Sequence, residues 1–401
     1  MAPSKWQSDR VGQIEDSITL AISALAKKMK SEGLDVIGFG AGEPDFDTPE
    51  FIKEAAIKAI QAGKNKYTDS PGILELREAI CATLLADHNL TYSPKQIVTT
   101  VGAKHAIYNA MMAILNPGDE VIIPAPYWVS YPAQVILAAG KPVIVQTDES
   151  TEFKISPQQL EAAITPRTKC VIINSPSNPT GMMYTRDELA ALAEVIVRKD
   201  ILVLSDEIYE KLVYTDVAHV SIASISEEAK KRTILVNGVS KAYAMTGWRM
   251  GYVAAELDII EGINRIQSHS TSNVTANAQY AALAAYTGSQ EAVEAMRVAF
   301  DRRRKLMVKL LNEIPGVSCL EPQGAFYAFP NISSFFGKKS KTGTVTDTAS
   351  FCDLLLKESL VALVPGIGFE SDTCVRLSYA TSDAQIEAGI KRLKDWLASL
   401  K

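Results

Sequence analysis

The stretch GVSKAYAMTGWRMGY, residues 238–252, holds a lysine in unusual company. Lys241 sits among small residues, an aromatic and aliphatic run follows, and the next positive charge is Arg249. Desolvation and a nearby cation both disfavour the ammonium form of a lysine. An amine lowered in this way attacks carbonyls and can form a Schiff base. Other short apolar runs end in residues that could work beside it. VIINSPSNPTG ends in Asn174, with Asn178 on the loop beyond; ILVLSDEIYE ends in Asp206, with Tyr209 three residues on. IVTTVGAKHAIYNAM turns through Gly102 into a helix whose first amides belong to Ala103 and Lys104.

Each residue alone has a plainer reading. Asp206 could cap a helix, Asn178 could serve a turn, and Tyr209 could pack in the core. Lys241 could lay its stem along apolar surface. Together they suggest one cofactor. A Schiff-base lysine, an anion site made of a helix N-terminus and an arginine, and a carboxylate for a ring nitrogen suit pyridoxal 5′-phosphate. Asn178 and Tyr209 would then reach the ring's phenolate oxygen. GFGAGEPDF, residues 38–46, faintly resembles a dinucleotide loop, but Glu43 and Pro44 stand where a phosphate-cradling helix should begin.

The elements that must place these groups alternate along the chain. FIKEAAIKAIQAG and ILELREAICATLLADHN have the three- and four-residue apolar spacing of amphipathic helices. QIVTTVG, EVIIPAP, PVIVQT, KCVIINSP, ILVLSDE, RTILVNGVS and MGYVAAE are short and β-rich. Several lack polar alternation, as expected of strands covered on both faces. The fold class is therefore α/β, a mostly parallel central sheet between helices, and its ligands belong beyond the carboxyl ends of the strands. The last hundred residues read as a smaller α+β domain: the helix AFDRRRKLMVKLLNEI, the strands GAFYAFPNI, ALVPGIGF and CVRLSYA, and the helix DAQIEAGIKRLKDWLASL. SSFFGKKSKTGTVTDTAS, residues 333–350, reads as a surface loop. The expected division is 1–48 as an N-terminal arm joined to the small domain, 49–297 as the large domain and 298–401 as the small one.

Composition removes several classes of function. A net charge of −5 offers no basic field for nucleic acid or an anionic membrane. The five cysteines and four histidines are dispersed, without C-x-x-C or H-E-x-x-H, so neither a disulfide framework nor a metal site is expected. No apolar run reaches the roughly 18–20 residues of a membrane span, and MAPSKWQSDR lacks a signal peptide's apolar core. A cytoplasmic protein is the expectation.

GVSKAYAMTGWRMG resembles the lysine-attachment signature of class I, fold-type I pyridoxal-phosphate aminotransferases. GAGEPDFDTP, KYTDSPGILELREAI, NSPSNPTG, SDEIYE and VRLSYA follow in that family's order and spacing, from about residue 10 to the end. PYWVSYP with AMTGWRMGY looks most like the bacterial and plastid aspartate aminotransferase branch. The resemblance implies that Lys241 carries the cofactor, Asp206 faces the pyridine nitrogen, and Asn178 and Tyr209 reach the phenolate oxygen. It implies that Trp128 stacks near the ring and touches the substrate, as Asn178 also would. Phosphate ligands would be the amides of Ala103 and Lys104, Ser240, Arg249, and Tyr67 from a second subunit. Arg376 would grip the substrate α-carboxylate, helped by the backbone of Gly42. Where the best-known members carry a serine three before the lysine, this chain has Gly238, which removes one expected hydroxyl.

The branch further implies a dicarboxylic substrate, read at its far end by Lys104 and Thr19, with Ser270 of a homodimeric partner nearby. A lysine in a helix's first turn is unfavourable unless an anion offsets it. Aspartate and 2-oxoglutarate, giving oxaloacetate and glutamate, are the expected substrates. Prephenate stands second, because Glu15 is acidic where prephenate-using relatives tend to be basic. Open alternatives are alanine, aromatic amino acids or kynurenine as substrates, a lyase on the same fold, and a non-catalytic cofactor-binding regulatory module.

Overall fold

A computed structural model describes residues 6–401. The seven apolar runs between residues 95 and 256 become the strands of one sheet: β1 Ile97–Thr100, β2 Glu120–Ala125, β3 Lys141–Gln146, β4 Thr168–Asn174, β5 Leu202–Asp206, β6 Thr233–Gly238 and β7 Gly251–Ala254. Their order across the sheet is β1-β7-β6-β5-β4-β2-β3. Only β7 runs against its neighbours; the other pairings are parallel. The sheet is mixed but mostly parallel, as the alternation implied.

Side chains alternate across a strand, and here both faces are covered. On β4, Ile172 packs with Ala106 and Ile107 of the helix Ala103–Ile114. Its neighbours Val171 and Ile173 pack on the other face with Leu189, Leu192 and Ile196 of the helix Arg186–Lys199. Burying each such side chain contributes about 1.5–3 kcal/mol, so apolar residues dominate both faces, and a buried polar exception such as Ser205 is held by a hydrogen bond, here to Glu207. That is why the runs show no alternation.

Beyond residue 290 the helix Asp383–Ser399 packs against the helices Glu291–Asn312 and Thr348–Ser359, which both pack on a three-stranded antiparallel sheet. Its strands, in spatial order, are Val364–Pro365, Val375–Ser378 and Tyr327–Ala328. Phe300, Phe351, Leu377 and Leu393 share its core. The N-terminal segment joins here: Ile37–Gly38 pairs with Val361–Ala362, and Val36 packs with Leu356.

Three expectations need correction. ALVPGIGF is not one strand: Ala362 ends one short strand, Val364–Pro365 forms another in a different sheet, and Gly366–Phe369 coils into a 3-10 turn. GAFYAFPNI yields only the strand Tyr327–Ala328, flanked by isolated antiparallel bridges of Gly324 to Val213 and of Asn331 to Ser318 and Cys374, so its pairing changes partner along the segment. The polar run 333–350 is no simple surface loop. Phe335 and Val345 are buried in the core, and Asp347 caps the helix that begins at Thr348.

Candidate active site

The carboxyl ends of β1, β2, β4, β5 and β6 deliver side chains to one cavity of about 340 Å³. Asn174 and Asp206 are register partners at the ends of β4 and β5, and the Asn174 amide donates to the Asp206 backbone carbonyl at 2.9 Å. The chain after Asp206 makes a turn, not a helix, so its carboxylate is no helix cap; Oδ1 accepts the Ile208 amide at 3.3 Å. Tyr131 donates to Oδ2 at 2.7 Å. Asp206 is 4% exposed, and this burial pushes its carboxyl up to about 6, against the pull of Tyr131. A buried acid in this condition favours a cation opposite it.

The same turn has a second side. Tyr209 faces the cavity with Asp206, whereas Glu207 and Glu210 engage histidines. Glu207 accepts from Ser205 and Ser221, both at 2.7 Å, and pairs with His219 at 3.2 Å. Glu210 pairs with His88 at 2.6 Å. Ligand atoms of His88, Glu207 and Glu210 come within 4.8 Å of one another, each already engaged by a hydrogen bond.

Lys241 follows β6 and donates from Nζ to the Gly42 carbonyl at 2.6 Å. The rings of Phe326 and Tyr209 lie 5.9 and 6.0 Å from Nζ. Desolvation brings this amine down to about 8; Glu43 opposes the shift, while Arg249 and Arg376 reinforce it.

At one end of the cavity the chain builds an anion cradle. Gly102, φ +80° and ψ 164°, turns β1 into the helix Ala103–Ile114 through a conformation essentially restricted to glycine. A Cβ there would lie 2.4 Å from Arg249 Nη2. His105 and Ala106 donate to the Gly102 carbonyl, which leaves the Ala103 and Lys104 amides at the helix's positive end. Arg249 is steadied by the carbonyls of Thr246 at 2.7 Å and Val101 at 3.5 Å, and the buried Ser240 lines the same wall. Gly238 now has a reason: a Cβ there would stand 2.7 Å from the Gly251 Cα. A serine at this position has no room on this backbone.

At the other end Arg376, 2% exposed, donates to Asn178 Oδ1 and to the Gly40 carbonyl, both at 3.0 Å. Its Nε is buried without a hydrogen-bond partner among the described residues. Lys104 reaches over the Trp128 ring at 4.9 Å, and burial lowers its pKa, with Arg249 adding to the effect. Thr19, on the helix Ile18–Ser31, lines the cavity and shares a hydrogen bond with Ser17. Lys104, Lys241, Arg249 and Arg376 thus surround one space while bonding only carbonyls, an amide oxygen and a ring face. Such a space demands anions.

Two of the expected residues lie elsewhere. Tyr67 is 89% exposed and lines a separate surface hollow with Thr271 and Asn273; Ser270 closes the helix Leu257–Ser270 outside the cavity. Two tyrosines that sequence reasoning passed over line it instead: Tyr131, and Tyr327, whose hydroxyl is 3.0 Å from that of Tyr209. Tyr131 lay within the quoted PYWVSYP and Tyr327 within GAFYAFPNI, but no local pattern told either from a core aromatic. The segment after Gly42 does not open a helix until Glu50, so the dinucleotide-loop reading of 38–46 finds no helix start to support it.

A family model described as aminotransferase class I and II matches residues 34–393. The aspartate aminotransferase of Bacillus subtilis is 52% identical over 385 residues, 96% of this chain and 97% of that one. The aspartate/prephenate aminotransferase of Cereibacter sphaeroides is 50% identical over 395 residues, 98% of this chain and 99% of that one. Among solved structures, the aspartate aminotransferase from Rhizobium meliloti superposes with a TM-score of 0.96 at 42% identity, covering 99% of this chain and 100% of that one. The Thermus thermophilus aspartate aminotransferase with maleate gives 0.92 at 40% identity, covering 98% and 100%.

Proposed function

The chain belongs to the class I and II aminotransferase family, and on that premise we propose that it is an aspartate aminotransferase. It moves the amino group of L-aspartate to 2-oxoglutarate, releasing oxaloacetate and L-glutamate in a ping-pong cycle. The observation that carries this reading is the meeting of four cations and one buried acid around a single cavity.

Pyridoxal 5′-phosphate fits that donor set part by part. The Ala103 and Lys104 amides, Ser240 and Arg249 suit its phosphate. Asp206 suits a protonated ring nitrogen, Asn178 and Tyr209 the phenolate oxygen, Trp128 the ring face and Lys241 the aldehyde carbon. Bound there, the cofactor supplies an electron sink for the charge left when the substrate Cα loses its proton.

The chain's own groups divide the remaining work. Asp206, ionised once a cation lies opposite, holds the proton on the ring nitrogen. Lys241, with a pKa brought down to about 8, carries an appreciable neutral fraction at physiological pH and moves the Cα proton as general base and then acid. Arg376 receives the α-carboxylate. Lys104 and Thr19 read the distal carboxylate; the maleate in the Thermus structure, itself a dicarboxylate, supports that choice.

Tyr67 and Ser270 serve the cavity of a second copy in this proposal, so the active enzyme is a homodimer. The division at residues 48 and 297 into arm, large and small domains belongs to it too. So does a cytoplasmic location, supported by the cysteines, all free thiols. Among the described residues no helix is long and apolar enough to cross a membrane.

The purified protein should absorb in the visible, lose that band on addition of aspartate and regain it with 2-oxoglutarate. Lys241→Ala should abolish turnover, and a variant that transaminates normally refutes the assignment. Aspartate should outpace alanine and phenylalanine, and Lys104→Ala should lose aspartate selectively. Prephenate is the second substrate to test, on the strength of the relatives named for it. A band without exchange would indicate the non-catalytic binding module.

A further inference from the structure

Tyr327 has no part in the reading above, yet it touches two residues that do. Its strand pairs with the one carrying Arg376, Ser378 opposite Tyr327 and Leu377 opposite Ala328. Its hydroxyl meets that of Tyr209 at 3.0 Å, and its ring lies 4.5 Å beneath the Arg376 guanidinium. Phe369 flanks the same guanidinium at 5.1 Å. Both phenols are buried, which holds their protons on far beyond neutral pH.

Two phenols in one hydrogen bond have two protons and one bridge. If Tyr209 donates across it, its proton is used there and its oxygen can only accept. If Tyr327 donates, the Tyr209 proton is free for an acceptor in the cavity. An anionic oxygen in the cavity selects the second arrangement, because a bond to a charged acceptor is roughly twice as strong as a neutral one. The bridge then polarises Tyr209 and makes it a better donor.

We propose that Tyr327 is a positioning residue of this site: its hydroxyl donates to Tyr209 so that Tyr209 turns its proton into the cavity, and its ring fixes the plane of Arg376. The proposal rests on the assignment of Tyr209 to the cofactor's ring oxygen. It gives Tyr327 two separable duties, one in its hydroxyl and one in its ring.

Tyr327→Phe removes the hydroxyl and keeps the ring. With the cofactor bound, a weaker donor at its ring oxygen would leave that oxygen's negative charge less offset, and the charge would favour the protonated form of the absorbing group up to higher pH. The pH midpoint of the visible band should therefore rise by about 0.4–1 unit in Tyr327→Phe. Tyr209→Phe should shift it further in the same direction. KM for aspartate in Tyr327→Phe should stay within about threefold of the unmodified protein, whereas Tyr327→Leu, which removes the stacked face, should raise it by about tenfold. An unchanged midpoint in Tyr327→Phe beside a shifted one in Tyr209→Phe overturns the proposal alone. Equal KM in the Phe and Leu variants overturns the duty assigned to the ring. A wild-type protein without a visible band, or an unshifted Tyr209→Phe, overturns the cofactor reading and the proposal with it.

Discussion

Replacing Tyr131 by phenylalanine should make the cofactor-free protein's stability more sensitive to pH, by an amount the structure allows to be worked out. Asp206 has a carboxyl pushed to about 6 from an ordinary 3.8. Between those values the folded chain holds a proton that the unfolded chain has released, so stability falls as pH climbs through that window. A shift of about two units corresponds to about 3 kcal/mol, fully felt above pH 6. The Tyr131 hydroxyl, 2.7 Å from Oδ2, limits that cost by bonding the ionised form. A hydrogen bond to a charged group is worth about 1.5–3 kcal/mol, so its loss should raise the Asp206 pKa by a further one to two units. Urea unfolding of cofactor-free wild type and Tyr131→Phe at pH 4.5 and 8.5 tests this. The unfolded chains titrate alike, so the gap between the proteins should be larger at pH 8.5 by about 1.5–3 kcal/mol. A gap that is the same at both values refutes the reasoning, because Tyr131 would then not be bonded to an ionising group.

Gly102→Ala should weaken cofactor retention by about 5- to 150-fold in a spectroscopic titration, since the new Cβ meets Arg249 and imposes about 1–3 kcal/mol of backbone strain; wild-type affinity would show that Arg249 does not serve the anion. His88, paired with Glu210, has its pKa raised to about 9, with burial opposing and the Glu210 hydrogen bond driving the rise. Its contribution is fully present below the unfolded value of 6.5 and is lost as pH rises through 9. His88→Gln should therefore cost about 3 kcal/mol in urea unfolding at pH 6 and much less at pH 10, and a penalty independent of pH would sink the ion-pair account.

The large sheet was legible because a strand covered on both faces is written as an uninterrupted apolar run, as in KCVIINSP. The rim was legible because β4, β5 and β6 each end in a residue with chemistry of its own: Asn174, Asp206 and, just past the strand, Lys241. All the site residues singled out from sequence except Tyr67 and Ser270 line one cavity. Those two are exposed on the surface of the chain, away from the cavity. Tyr131 and Tyr327 stayed invisible for a different reason. Their roles come from partners 75 and 118 positions away, and nothing in their own neighbourhoods encodes such a pairing. The polar run 333–350 misled because composition averages over a segment, whereas two apolar side chains, Phe335 and Val345, suffice to anchor it.

The strip Gly40–Gly42 lends its carbonyls to both Arg376 and Lys241. Those oxygens belong to the main chain, so exchanging one amino acid for another leaves them in place, and a Cβ at either glycine would meet nothing nearer than 3.6 Å. Point substitution is therefore a blunt tool for retuning these two cations from the N-terminal side. Adding or deleting a residue between the helix Ile18–Ser31 and Gly42 is a sharp one, because it slides both acceptors out of step at once. Natural drift along this strip should accordingly appear as changes of letter and rarely as changes of length.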